Sequence, residues 1–75
     1  MVLTQEQARA MYEAMKNLND VGATFRFSAG HVDGFLVIVE EDVESWSVNV
    51  KLNDGTVVES YENQAGFARA YGIEV

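Results

Sequence analysis

The sequence predicts an α+β fold in the order α-β-β-β-β-α, an antiparallel sheet meander with its helix or helices packed on one face. Three features of the 75 residues lead there. Apolar residues near the start recur every three or four positions, the period then falls to two in successive stretches, and Asn53-Asp54-Gly55-Thr56 marks a tight turn between two of those stretches. Such short connections make sequential strands neighbours. No repeat, low-complexity run or linker interrupts the order, so residues 1–75 are expected to form a single α+β domain.

The first helix is predicted from about Gln5 to Leu18. Thr4 with Gln7 makes a capping box, and Leu3 with Ala8 a hydrophobic staple. Ala8, Met11, Tyr12, Met15 and Leu18 line one apolar stripe, while Gln5, Arg9, Glu13, Lys16 and Asn17 face water. The two methionines on that stripe read as core filling. Asn19-Asp20 and Gly22 supply the stop.

From Val21 to Ala29 the residues alternate, with Val21, Ala23, Phe25 and Phe27 on one face and Thr24, Arg26 and Ser28 on the other. Gly30 to Gly34 reads as the following turn, and Phe35-Leu36-Val37-Ile38-Val39 as a central strand apolar on both faces. If helices cover Phe35, Val37 and Val39, the Leu36 and Ile38 set needs a lid or a partner. Glu40-Glu41-Asp42 ends this strand, and Trp46, Val48, Val50 and Leu52 alternate with polar residues in a third. A type I′ turn at Asp54-Gly55 would place Leu52 opposite Val57, Val50 opposite Glu59 and Val48 opposite Tyr61. A second helix follows over Asn63 to Tyr71, with Phe67, Ala70 and Tyr71 inward and Gly72 as its stop, and Ile73-Glu74-Val75 adds a stub of edge strand.

The net charge of −7 is distributed unevenly. Residues 33–62 hold Asp33, Glu40, Glu41, Asp42, Glu44, Asp54, Glu59 and Glu62 against Lys51 alone, while the flanking segments balance. Such a surface repels phosphate, which disfavours direct nucleic-acid binding and adhesion to anionic membranes. It would steer a basic protein toward the acidic stretch. The absence of cysteine excludes disulfides and thiolate chemistry, and a start without a basic or apolar leader makes the cytoplasm the expected setting.

Catalytic constellations are sparse. His31 with Asp33 could form a base and its orienting carboxylate, but the pair falls in the expected turn between Gly30 and Gly34 with no nucleophile at a fixed spacing. The Glu40 to Glu44 carboxylates lack the calcium-loop spacing, and the glycines form no phosphate-binding loop. No catalytic residue, cofactor or metal is therefore assigned. The aromatics Phe25, Phe27, Phe35, Tyr61, Phe67 and Tyr71 read as core by their period; Trp46, beside the acidic connector, reads as an interface anchor.

The expected function is that of a small acidic, non-catalytic protein-binding module for a basic protein partner, with Glu40, Glu41, Asp42, Glu44 and Trp46 as its contact residues. By analogy of size and charge alone, it could be a phage or mobile-element inhibitor that occupies the basic groove of a host nucleic-acid-handling protein. The alternative is a structural homodimer or small subunit that pairs through the second sheet face or an edge strand.

Overall fold

Thr4 and Gln7 close the start of the first helix from both sides. The Gln7 N–H donates to Thr4 Oγ1 at 3.1 Å and the Thr4 N–H to Gln7 Oε1 at 2.9 Å, the reciprocal capping box expected of these residue types. In the computed structural model, which describes residues 2–19 and 25–74, this helix is α1, Gln5–Asn19. Four strands and a short helix follow: β1 Arg26–Val32, β2 Phe35–Glu41, β3 Val48–Leu52, β4 Val57–Tyr61 and α2 Gln64–Ala70. The strands pair antiparallel in spatial order β1-β2-β3-β4, the predicted α+β meander.

Both helices pack on the same face. Ala8 and Met15 of α1, Phe67 and Ala68 of α2, and Val37, Val39, Val48 and Val50 of the two central strands share one buried cluster with Phe25. Tyr61 meets Phe67 edge-on at 5.6 Å, which ties α2 to β4. A Schellman motif ends α2: Gly72 takes the left-handed region at φ 71°, its N–H bonds Arg69 O, and the Ile73 N–H bonds Ala68 O. Ile73 is thereby buried as the apolar plug of the helix end, not as the expected edge strand.

The first strand departs from its predicted span. Val21 and Ala23 lie outside the described residues, Phe25 precedes β1, and the strand runs on through His31 to Val32. A bulge between Ser28 and Gly30 inserts Ala29, which is buried, so that odd-numbered Phe27 and even-numbered Val32 point to the same face. The carbonyl of Ala29 accepts from Gln7 Nε2 at 2.9 Å, so one glutamine both caps α1 and ties it to the bulge. Phe27, on this edge strand, packs against Phe25 at 4.4 Å between ring centres yet remains 41% exposed, and Phe35 at the hairpin end is similarly open.

The two Asp-Gly turns exchange roles relative to expectation. Asp33 and Gly34 both have positive φ, 52° and 84°, between the paired residues Val32 and Phe35, which is the type I′ geometry. At the second turn only Gly55 is left-handed. There the Asn53 N–H is held by Leu36 O and the Gly55 N–H by Leu52 O, while the Leu52 N–H reaches Thr56 O. This longer loop pairs Lys51 with Val57, and a bulge at Val58 then restores the expected pairs Val50 with Glu59 and Val48 with Tyr61.

The second sheet face needs less help than its composition suggested. Ile38 is buried on it although it lies outside the helix-covered cluster; Ser28 and Lys51 stand opposite it on the neighbouring strands. Long side chains such as Lys51 can cover apolar surface with their stems while the charge stays wet.

Phe25→Ala is expected to cost about 3–5 kcal/mol and Phe27→Ala less than half of that, because only the first ring is enclosed. Urea denaturation of the two variants measures the difference. Equal losses would mean that Phe27 is in the core.

Candidate functional site

The register places the chemistry at one end of the sheet. Glu41 is opposite Val48 and Val48 opposite Tyr61, so the β2–β3 connector and the residues after β4 emerge side by side. Asp42, Glu44 and Glu62 lie there, all exposed. Asp33 and Asp54 occupy the turns at the opposite end, so the acidic middle of the chain is divided between two poles.

The five expected contact residues do not share one open surface. Successive residues of a strand point to opposite faces, and Glu40 and Glu41 separate accordingly. Glu40 lies on the second face between Arg26 Nε at 3.1 Å and Lys51 Nζ at 3.2 Å, and its charge is matched there. Glu41 is turned under the helices and is only 1% exposed, which corrects the expectation that it looks outward. Its Oε2 accepts from Gln64 Nε2 at 2.6 Å, while its Oε1 is buried without a hydrogen-bond partner.

Asp42 organises the connector. Its Oδ1 accepts from the Glu44 N–H at 2.9 Å, its carbonyl from the Trp46 N–H at 2.7 Å, and its own N–H donates to Ser47 O. This tight arrangement puts Trp46 in the left-handed region at φ 58°, unusual for a bulky side chain, and leaves it 43% exposed. Trp46 and Glu41 form a pocket of about 290 Å³ with Tyr12 of α1 and Asn63, Gln64 and Ala65 at the start of α2. That volume lies at the lower end for a ligand site. Asn63 caps α2 by accepting from the Gly66 N–H at 2.7 Å. Lys16 sits 5.8 Å from the centre of the Tyr12 ring and 3.5 Å from Glu13.

Tyr12, Asn63, Gln64 and Ala65 were not expected at a site. Glu41 and Gln64 are 23 positions apart, and only the pairing of three strands brings them into contact. The signal was present in part, since the expected pairing of Val48 with Tyr61 already puts the start of α2 beside the start of β3.

His31 does not sit on a turn; it lies within β1 opposite Leu36, exposed, and the end of the sheet it shares with Asp33 is opposite to the pocket. Among the described residues, no three His, Asp or Glu side chains gather as a metal-binding group. Among the described residues, no helix is long and apolar enough to cross a membrane.

A second cluster, Glu59 with Tyr61 and Tyr71, joins β4 to the start of the chain and the end of α2. Glu59 Oε1 accepts from the Tyr61 hydroxyl at 2.6 Å and the Tyr71 hydroxyl at 2.5 Å, and Oε2 from the Val2 N–H at 2.7 Å. Burial acts most strongly on this carboxyl and would raise its pKa, but the hydrogen bonds from Tyr61, Tyr71 and Val2 together hold it below the ordinary range. Burial and the adjacent Glu59 charge push the Tyr71 hydroxyl up to about 12, and Tyr61 rises for the same reasons. Every oxygen of this cluster has a partner, which makes it a lock between elements.

Comparison of the chain with protein-family models, curated proteins and solved structures gave no match.

The Glu59 lock sets the stability profile at both pH extremes. A depressed folded-state pKa contributes stability above the ordinary value of 4.5 and loses it as pH falls through the folded value. The raised tyrosine values contribute below the ordinary 10.0 and lose it as pH climbs toward 12. Thermal melts from pH 2 to 12 should therefore decline at both ends, and Glu59→Gln should flatten the acid limb. An unchanged acid limb in that variant would remove Glu59 from the account.

Proposed function

We propose that this chain is a small acidic, non-catalytic protein-binding module that docks a basic protein partner at the end of its sheet that carries Asp42, Glu44, Glu62 and the pocket of Glu41 and Trp46. The observation that carries this reading is the distribution of counter-charge. Glu40 is neutralised by Arg26 and Lys51, whereas Asp42, Glu44 and Glu62 pair with no cation among the described residues. Unmatched carboxylates around a half-exposed indole offer a basic surface both steering and an aromatic anchor. Inhibition of a nucleic-acid-handling host protein, in the manner of a phage or mobile-element factor, is the most specific form of this proposal. The cytoplasm is its proposed setting, where a chain without cysteine forgoes no disulfide.

A second reading is a homodimer or small subunit that assembles through an edge strand. Val57 and Val58 on β4 are the observation in its favour, at 54% and 40% exposure. Bulges in both edge strands count against it, since a bulge twists the edge away from further pairing. Sedimentation at micromolar concentration separates the readings: a monomer removes the self-assembly version, and a dimer indifferent to salt removes the electrostatic one.

The triple variant Asp42→Asn, Glu44→Gln, Glu62→Gln should stay within about 0.5 kcal/mol of the parent per substitution, as exposed positions do. Its retention of basic proteins from a host extract should fall, most of all at low salt, whereas Glu40→Gln should retain them as the parent does. Equal retention by the triple variant would make the acidic end bystander surface.

A further inference from the structure

The pocket wall holds an anomaly that folding does not account for. Glu41 is 1% exposed, one carboxylate oxygen is satisfied by Gln64, and the other has no partner. Buried polar atoms are nearly always hydrogen-bonded, and an unmade bond to a carboxylate is among the more costly exceptions. Glu41 lines its pocket together with Tyr12, Trp46, Asn63, Gln64 and Ala65. Two aromatic side chains and a carboxylate lining one pocket form an environment suited to a positive charge that also donates a hydrogen bond.

We propose that the pocket binds an organic monocation, the guanidinium or ammonium head of an arginine or lysine side chain on the basic partner, with Glu41 Oε1 accepting its N–H and Trp46 packing against it. The inference deepens the protein-binding reading and rests on it for the source of the cation. The cations on the neighbouring elements are Arg9 and Lys16 of α1, Arg26 of β1, Lys51 of β3 and Arg69 of α2. Arg26 and Lys51 are engaged by Glu40 on the other sheet face, Lys16 stands by Tyr12 and Glu13, and among the described residues none of these cations is within ion-pair distance of Glu41. Exposed Asp42, Glu44 and Glu62 at the same end of the sheet would guide the incoming charge. Because Oε1 is covered, the cation reaches it only as a wall side chain moves, and Trp46 on its left-handed connector is, with Asn63, an exposed member of that wall.

The test is a titration of the isotope-labelled chain with ethylguanidinium chloride, followed on the Trp46 indole N–H and the Gln64 side-chain amide. N-ethylurea serves as the neutral shape match and sodium chloride as the ionic-strength control. Saturable shifts with ethylguanidinium and none with N-ethylurea are expected, and Glu41→Gln should weaken binding about tenfold or more. Shifts of equal size with N-ethylurea, or an unchanged affinity in Glu41→Gln, overturn the proposal. Should Glu41→Gln fail to fold, Trp46→Gly, which suits the left-handed backbone, carries the test through the Gln64 amide: weakened binding supports the site and full affinity overturns it.

An octa-arginine peptide separates the site from the broader reading. Salt-sensitive peptide binding that Glu41→Gln leaves intact overturns the pocket while the acidic-module reading stands. Ethylguanidinium binding without peptide binding supports the pocket as a site for free small cations and removes the protein partner.

Discussion

Two helices of this length can cover only one face of a four-stranded sheet, and the rest of the molecule follows from that constraint. The central strands supply Val37, Val39, Val48 and Val50 to the covered face, and the core closes around them with Phe25, Phe67 and Met15. Glu41 is the last residue of β2 and by alternation belongs to the same face as Val37 and Val39. The strand therefore delivers a carboxylate to the rim of an apolar core at the point where α2 begins. Its bond to Gln64 anchors the first turn of that helix.

The edges of the sheet answer to the same constraint. β1 must present Phe27 and Val32 inward although they differ in parity, and the Ala29 bulge resolves the conflict by adding one residue. β4 must meet β3 in register beyond a loop that is one residue too long, and the bulge at Val58 absorbs the difference. Gln7 shows how closely the parts depend on one another, since its amide completes the helix cap with one atom and satisfies the bulged carbonyl with another.

Features coded by contiguous residues were legible in the sequence. The capping box at Thr4 and Gln7, the inward stripe of α1, the opposite facing of Val37 and Ile38, and the Gly72 stop all depend on spacings within a few positions. What escaped is set by long-range geometry. The Asp54-Gly55 dipeptide has the composition of a type I′ turn, but the bond from the Asn53 N–H to Leu36 O engages the loop with β2 and leaves Gly55 as its only left-handed residue. Of the expected contact residues, Trp46 was found at the pocket because a half-exposed indole beside charge is a local signal. Glu41 was read as outward because a run of acids resembles a solvated connector, while strand alternation extends two residues further than the apolar run.

The carboxylate at position 41 brings more than its structural task requires. Anchoring α2 needs one acceptor for Gln64 Nε2, and a glutamine in that place could supply it with its amide oxygen while carrying no charge. An apolar residue would continue the helix-covered set of Val37 and Val39 and avoid a buried carboxyl, at the expense of the α2 anchor. What a carboxylate contributes beyond a glutamine is a second acceptor oxygen, at a residue that lines the pocket with Tyr12, Trp46 and the start of α2. In a domain whose whole stability is on the order of 5–15 kcal/mol, one unsatisfied buried oxygen is a considerable fraction. The excess is localised: Glu59 is also partly buried, yet both its oxygens are bonded, so the fold satisfies its carboxylates where only cohesion is at stake. The difference between these two glutamates is the physical ground for the recognition role proposed for Glu41, while Glu59 is accounted for by architecture alone.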